Sequence, residues 1–174
     1  MYIEDDNFLD DGQKRFIDNI VLTDKFPFYY NSSAITGDTL GFLVHNVLLR
    51  PEIRKDGENG INSEAFDLFE DMLNAFTSKN GLEYKEIFRI SVNMTMNIGV
   101  EKSHTHKDHD FPHKQLLIYL NDFKGGETVI LNDDDTIFKK TKPKKFLGVC
   151  FDDKKHYGVL PKVGRRLVAV YTFR

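Results

Sequence analysis

Hydrophobic and polar residues alternate from Phe88 to Ile98, which is the clearest pattern in the chain. Successive side chains of a strand point to opposite faces, so this pattern predicts one long strand. Shorter runs of β-forming residues follow, separated by turn residues such as Gly125-Gly126. They predict further strands at residues 104–110, 115–121, 127–131, 136–138, 145–151, 156–160 and 166–173.

Residues 1–83 have helical as well as strand patterns. Apolar residues recur at helical spacing from Phe66 to Phe76, which predicts an amphipathic helix. Asn62-Ser63 can cap the start of this helix, and Asn80-Gly81 can end it. The other elements predicted here are a short helix at 13–23, an aromatic core or lid segment at 26–30, and a strand at 41–50.

A run of strands after a helical N-terminal part predicts a mainly β fold, either a sandwich or a barrel, with helices packed on one outer face. The length of 174 residues fits a single domain, 1–174. Within that domain we expect residues 1–83 to form a supporting region of helices and strands. Residues 84–174 would form the β core.

Composition and charge exclude several classes of protein. The net charge of −3 gives no reason to expect a nucleic-acid partner, and the lysines at 139–145 are interpreted as a solvated loop. The single cysteine, Cys150, excludes an internal disulfide and suits a reducing compartment. Residues 1–11 do not resemble a signal peptide, and no apolar run approaches the roughly 20 residues of a membrane span. We therefore expect a cytoplasmic protein without a membrane partner.

Four of the six histidines lie between positions 104 and 113, and His106 forms a His-x-Asp motif with Asp108. In an extended strand these two side chains point to the same face and can reach one metal ion. His156, on a later predicted strand, could supply a third ligand. Two histidines and one carboxylate on one side of an ion are typical of non-haem Fe(II) oxygenases. His104 would share this face but is interpreted as a rim residue, because only His106 has an aspartate two residues later.

Residues 84–174 carry five short motifs in a fixed order. The motifs are His106-x-Asp108, Ile118-Tyr119-Leu120-Asn121, Gly125-Gly126-Glu127-Thr128, His156 and Gly164-Arg165-Arg166. In this order they resemble the catalytic core of the 2-oxoglutarate (2OG) and Fe(II)-dependent dioxygenases, and most closely the prolyl 4-hydroxylase-like group. Residues 1–83 carry no motif that extends the resemblance.

The resemblance implies a double-stranded β-helix, or jelly roll, that holds Fe(II) at one end. His106, Asp108 and His156 would be the catalytic metal ligands. The cosubstrate 2OG would chelate the metal, and its far carboxylate would meet a basic side chain on the last strand. Reaction with O2 would then convert 2OG to succinate and CO2 and hydroxylate the substrate.

A carboxylate drawn into a barrel has to be paired, and arginine offers a planar fork that suits it. Arg165 and Arg166 are both candidates, since alternation along the final strand does not separate them. The pattern Gly-x-basic of the family favours Arg166. The hydroxyl of Tyr119 is a further candidate donor to 2OG, with a packed core tyrosine as the alternative interpretation.

The resemblance implies hydroxylation of a substrate C–H bond, and we expect a peptide or protein substrate with a residue such as proline at the metal. His109, Phe111 and His113 would form a polar and aromatic rim, and no second charged group is evident to hold a small acid. One alternative is a hydroxylase of a free amino acid or small metabolite. A non-catalytic jelly-roll binding protein is another. A cupin-like isomerase or zinc hydrolase is the third, because the same ligands can hold Zn(II).

Overall fold

The computed structural model describes residues 1–33 and 40–174. Its helical segments are α1 (Asp11–Phe16), which continues as a π-helical turn over Ile17–Val21, a 3-10 turn (Pro51–Ile53) and α2 (Phe66–Lys79). The strands are β1 (Tyr2–Asp5), β2 (Tyr29–Asn31), β3 (Phe42–Leu48), β4 (Ile87–Met96), β5 (Lys114–Tyr119), β6 (Lys124–Gly125), β7 (Thr128–Leu131), β8 (Ile137–Lys140), β9 (Gly148–Asp152), β10 (His156–Gly158), β11 (Pro161–Val163) and β12 (Arg165–Phe173). Within these described ranges no helix is long and apolar enough to cross a membrane.

The strands form antiparallel sheets. The largest has seven strands in the order β1-β9-β5-β12-β4-β3-β2. A three-stranded sheet has the order β10-β7-β8, and β11 pairs with β6. Ile130 of β7 packs in one buried cluster with Leu117, Val149 and Val168 of the large sheet, so the smaller sheet covers one face of the larger one.

The helices cover the opposite face of the large sheet. Phe69, Met72, Leu73 and Phe76 of α2 are fully buried, because their spacing places them on one side of the helix. They belong to the main core cluster together with outward-facing strand residues such as Ile90, Ile118, Leu167 and Tyr171. The prediction of a mainly β fold with N-terminal helices on one outer face is confirmed.

The inner face of the large sheet carries many of the polar positions of β4 and β12. Antiparallel pairing sets Asn93 beside Val44 and Val168, and Thr95 beside Arg166. Directly opposed residues of paired strands point to the same face. Polar side chains of β4 and β12 therefore meet in the space between the sheets, where a candidate site lies.

Several predicted elements differ from the structure. Residues 104–110 are not a strand, because they make only one isolated bridge to a strand, between His106 and His156. The predicted cap Asn62-Ser63 does not cap α2, which begins after Ala65; the Ser63 hydroxyl instead accepts a hydrogen bond from the Ala65 amide. The other predicted strands are present with shifted ends, and the sequence pattern did not predict β1, β2, β6 or β11.

The aromatic segment 26–30 is divided between core and surface. Phe26 is buried and lies against Phe69 of α2, with ring centroids 6.2 Å apart. Tyr29 and Tyr30 belong to the edge strand β2 and are 65% and 73% exposed. Only the first part of this segment therefore serves the core.

Candidate metal centre

His106, Asp108 and His156 come together although the first two lie outside any strand. The potential ligand atoms of the three side chains all lie within 4.8 Å of one another. Asp108 and His156 are buried, and His106 is half-buried. Reciprocal backbone hydrogen bonds of 3.0 and 2.9 Å between His106 and His156 hold the loop against β10. The cluster predicted from the His-x-Asp motif and the distal histidine is therefore present.

Backbone carbonyl groups orient the two histidine rings. Nδ1 of His106 lies 3.0 Å from the carbonyl oxygen of His104, and Nδ1 of His156 lies 3.1 Å from that of Lys154. A carbonyl oxygen only accepts, so each Nδ1 carries the proton and each Nε2 keeps its lone pair. Nε2 of His156 accepts a hydrogen bond of 3.3 Å from the side-chain amide of Gln115. Burial lowers the pKa of His156 to about 4, so its ring is neutral near pH 7, as a metal ligand has to be.

The two carboxylate oxygens of Asp108 have different surroundings. Oδ1 accepts hydrogen bonds from Arg50 Nη2 at 2.9 Å and Arg89 Nη1 at 2.8 Å. Oδ2 is buried and has no hydrogen-bond partner in the described part of the chain. A buried carboxylate oxygen without a donor is unusual. Although burial raises the pKa of Asp108, neighbouring charges led by Arg89 outweigh that effect and hold it well below its usual range.

These donors fit a divalent metal ion such as Fe(II). Oδ2 of Asp108 lies 3.6 Å from Nε2 of His156, and a cation between the side chains would satisfy the unpartnered oxygen. Two neutral imidazoles and one carboxylate oxygen form the ligand set of non-haem Fe(II) sites.

The cluster borders a cavity of about 320 Å³ between the sheets. Its lining includes the buried Thr128, Arg166 and Val168. It also includes the half-buried Asn31 and also Ile53, which is 60% exposed. The cavity therefore reaches the surface near Ile53, and the metal-ligand cluster lies in its wall.

Arg166 and Arg165 point to different places. Arg166 is buried in the cavity wall, where Nε donates to the Gly126 carbonyl at 2.9 Å and Nη2 donates to Thr128 Oγ1 at 3.0 Å. Arg165 is exposed and donates to the Leu22 carbonyl. No carboxylate of the described residues pairs with Arg166, and a buried guanidinium without a counter-ion suits an anionic ligand.

Tyr119 lies beside Arg166 but does not line the cavity. Its hydroxyl bonds Thr128 Oγ1 at 2.9 Å and Thr141 Oγ1 at 2.8 Å. The Arg166 guanidinium carbon lies 5.6 Å from the centre of the Tyr119 ring. In this structure Tyr119 therefore supports Arg166 and Thr128, and Thr128, unlike Tyr119, lines the cavity.

The sequence did not point to Arg50 and Arg89, and the expectation that no second charged group faces the site is wrong. Both arginines line the cavity. The only signal for Arg89 was its polar position in the alternating strand, and Arg50 precedes Pro51 at the end of a predicted strand. Neither signal identifies Asp108 as the partner.

The rim predicted from His109, Phe111 and His113 is also wrong, because both histidines are buried outside the cavity lining. His109 bonds Glu52 through Nδ1 at 3.0 Å and Thr172 through Nε2 at 2.8 Å. Its ring stacks on that of Phe111. These residues fasten the loop that carries Asp108 to the sheet. His104 is exposed and contributes its backbone carbonyl to the site.

No family model and no curated protein matches the sequence. Solved structures do match, and each covers 99% of this chain. A 2OG-Fe(II) oxygenase family oxidoreductase from Burkholderia pseudomallei is 17% identical, with a TM-score of 0.76 over 84% of its own chain. The viral collagen prolyl hydroxylase of Paramecium bursaria Chlorella virus 1, in a 2OG complex, is 18% identical, with a TM-score of 0.58 over 94% of its chain. A Trichoplax adhaerens prolyl hydroxylase, in complex with a hypoxia inducible factor peptide fragment, is 14% identical, with a TM-score of 0.63 over 82% of its chain.

At these identities the likeness concerns the fold. It confirms the predicted jelly roll. The chain has the fold of the 2OG-Fe(II) oxygenases and prolyl hydroxylases.

Proposed function

We propose that this chain is an Fe(II)- and 2OG-dependent oxygenase that hydroxylates a substrate C–H bond. One observation carries the proposal. His106, Asp108 and His156 bring potential ligand atoms within 4.8 Å of one another beside a cavity that also contains the buried cation Arg166. A jelly-roll binding protein needs neither feature, and a zinc hydrolase would leave the buried Arg166 unexplained.

His106, Asp108 and His156 would hold Fe(II) through Nε2, Oδ2 and Nε2. Together with 2OG and O2, the bound metal supplies the oxidising chemistry that breaks a C–H bond. The chain itself contributes orientation, because backbone carbonyls accept from Nδ1 of both rings and so leave each Nε2 without a proton. It also keeps Asp108 ionised, so that the site is ready to accept a cation without first losing a proton.

Arg166 would pair with the far carboxylate of 2OG. Its support is geometric, because the guanidinium is buried in the cavity wall and oriented by the Gly126 carbonyl and the Thr128 hydroxyl. Arginine matches a carboxylate with two parallel hydrogen bonds. Arg165 lies outside the cavity lining, and Tyr119 would act by holding Thr128 and the face of Arg166 in place.

The substrate would enter from the open end of the cavity, and we propose a peptidyl residue, with proline the first to test. The support is the exposed rim near Asn31 and Ile53, together with the peptide bound to the Trichoplax adhaerens prolyl hydroxylase. A small acidic metabolite is the second candidate. It is favoured by Arg50, which lines the cavity and has a side chain that is 27% exposed.

The test is to incubate the iron-loaded chain with 2OG, O2 and a library of proline-containing peptides. The expected result is the gain of one oxygen atom by a peptide, matched by one succinate. Substrate-dependent succinate formation with free amino or organic acids, and with no modified peptide, would move the assignment to the small-molecule candidate. Loss of succinate formation in the His106→Ala chain is the control for the site.

A further inference from the structure

Two arginines, one following β3 and one within β4, contact the same oxygen of Asp108. Arg50 follows the end of β3, and Arg89 lies near the start of β4. Their Nη2 and Nη1 atoms lie 2.9 and 2.8 Å from Oδ1. The side chains of Arg89 and Asp108 are 8% and 3% exposed, so this contact is shielded from water.

Arg50 holds the main chain as well as the side chain of Asp108. Its Nη1 donates to the Asp108 carbonyl oxygen at 2.8 Å, in addition to the bond from Nη2 to Oδ1. A planar guanidinium has a fixed fork of donors, so two such bonds restrict both position and rotation of the carboxylate. Arg89 fixes Oδ1 from a second direction. As a result Oδ2, the oxygen without a donor, is the one left beside His156.

We propose that Arg50 and Arg89 are positioning residues that present Asp108 to the metal through Oδ2 alone. The inference rests on the proposed function, because it assigns a role toward the metal to two residues that do not themselves bind it. Partners of metal ligands commonly orient those ligands, and their loss typically weakens metal binding by about 10- to 100-fold.

The competing explanation is that the arginines are only counter-ions that stabilise the fold. The two explanations predict opposite signs for metal affinity. Removing a positive charge near a divalent cation reduces repulsion and would by itself tighten binding. Weaker binding after removal of an arginine therefore requires that the arginine orient the carboxylate.

Arg54 provides a matched control. It lies four residues after Arg50 and is half-buried, and it donates to the backbone carbonyls of Leu49 at 2.8 Å and Phe88 at 2.7 Å. It does not contact Asp108 and does not line the cavity. The Arg54→Met chain loses a half-buried guanidinium that bonds backbone carbonyls, as Arg50 does, and should report the effect on folding alone.

The experiment measures Mn²⁺ binding to the full chain by calorimetry and by electron paramagnetic resonance, which does not depend on turnover. Arg89→Met and Arg50→Met should each weaken Mn²⁺ binding by about 10- to 100-fold, while Arg54→Met leaves it unchanged. Arg89→Lys keeps a charge and one donor and should recover part of the affinity. Circular dichroism and thermal unfolding of the metal-free chains identify variants that do not fold. If the Arg89→Met chain does not fold, the Mn²⁺ affinities of the Arg50→Met and Arg89→Lys chains test the positioning role instead.

Unchanged or tighter Mn²⁺ binding in both methionine variants would overturn the positioning role while leaving the proposed function intact. Failure of the unmodified chain to bind Mn²⁺, or equal binding in the His106→Ala chain, would instead count against the proposed function. The two failures are therefore distinguishable in one set of titrations.

Discussion

Oδ2 of Asp108 lies 3.6 Å from Nε2 of His156, and no donor in the described part of the chain reaches that oxygen. The opposite oxygen of the same carboxylate accepts from two arginines. Oδ2 is therefore available to a metal ion, whereas Oδ1 anchors the loop of Asp108 to Arg50 and Arg89. Substitutions of Asp108 can therefore remove the two roles separately.

Asp108→Asn should abolish Mn²⁺ binding and leave the chain folded. An asparagine can still accept from Arg50 and Arg89 through its oxygen, but its amide nitrogen cannot replace Oδ2 as a ligand. Asp108→Ala removes the acceptor as well and leaves Arg89 buried without a partner, at a cost of about 3–5 kcal/mol. Denaturant unfolding of the metal-free chains should rank alanine well below asparagine. Equal stability of the two variants would contradict the anchoring role of Oδ1.

His104→Ala should retain the metal, whereas His106→Ala should lose it. His104 contributes its backbone carbonyl to the site, which accepts from His106 Nδ1, and alanine keeps that carbonyl. Mn²⁺ titration of both chains measures the difference. The opposite result, with His106→Ala still binding, would mean that the wrong histidine has been assigned.

Arg166→Ala should weaken 2OG binding by about 2 kcal/mol or more, the usual effect of removing one partner of a buried charge pair. Arg165→Ala is the matched control, since Arg165 is exposed and lies outside the cavity lining. Titration of 2OG into the Mn²⁺-loaded chains compares them. Undiminished affinity in the Arg166→Ala chain would remove the cosubstrate assignment.

Gly126→Ala should impair 2OG binding as well as stability. Gly126 has φ of +75°, and an added Cβ would lie 2.6 Å from the Phe123 ring and 3.1 Å from Arg166 Cδ. Gly99 also has positive φ, at +82°, but nothing lies within 4 Å of its added Cβ. Gly99→Ala should therefore carry only the backbone strain, about 1–2 kcal/mol, with normal 2OG affinity. Equal 2OG affinity in both glycine variants would show that Arg166 tolerates the displacement.

Cys150 should resist alkylation in the native chain at mildly alkaline pH. Burial raises the pKa of its thiol to about 12, so almost no thiolate is present. Iodoacetamide labelling followed by mass spectrometry should give no product until denaturant is added. Rapid native labelling would mean that β9 opens readily.

The sequence was sufficient for local and periodic features. The alternation from Phe88 predicted β4, and the spacing in 66–76 predicted α2, because both depend on one face being buried. The metal-ligand cluster was predicted too, although residues 104–110 do not form the expected strand. The β-bridge between His106 and His156 brings the two parts of the motif together without a strand at residues 104–110.

Features that depend on how distant segments meet were not predictable. Alternation along β12 did not separate Arg165 from Arg166, whereas the contacts of Arg166 with Gly126 and Thr128, far from it in the sequence, distinguish their positions. The contacts of Arg50 and Arg89 with Asp108 depend on where a loop crosses two strands. His109 was expected at the rim of the site because it directly follows the metal motif, but bonds to Glu52 and Thr172 satisfy both ring nitrogens inside the fold.

The most direct test of the central claim is an anaerobic titration of 2OG into the Fe(II)-loaded chain, followed by visible absorption. A 2-oxo acid chelated to Fe(II) absorbs visible light, whereas neither component does so alone. We predict a saturable band that needs both Fe(II) and 2OG, is absent from the His106→Ala and Asp108→Asn chains, and requires more 2OG in the Arg166→Ala chain. No band from the unmodified chain, or an undiminished band from the Asp108→Asn chain, would contradict the assignment of this site.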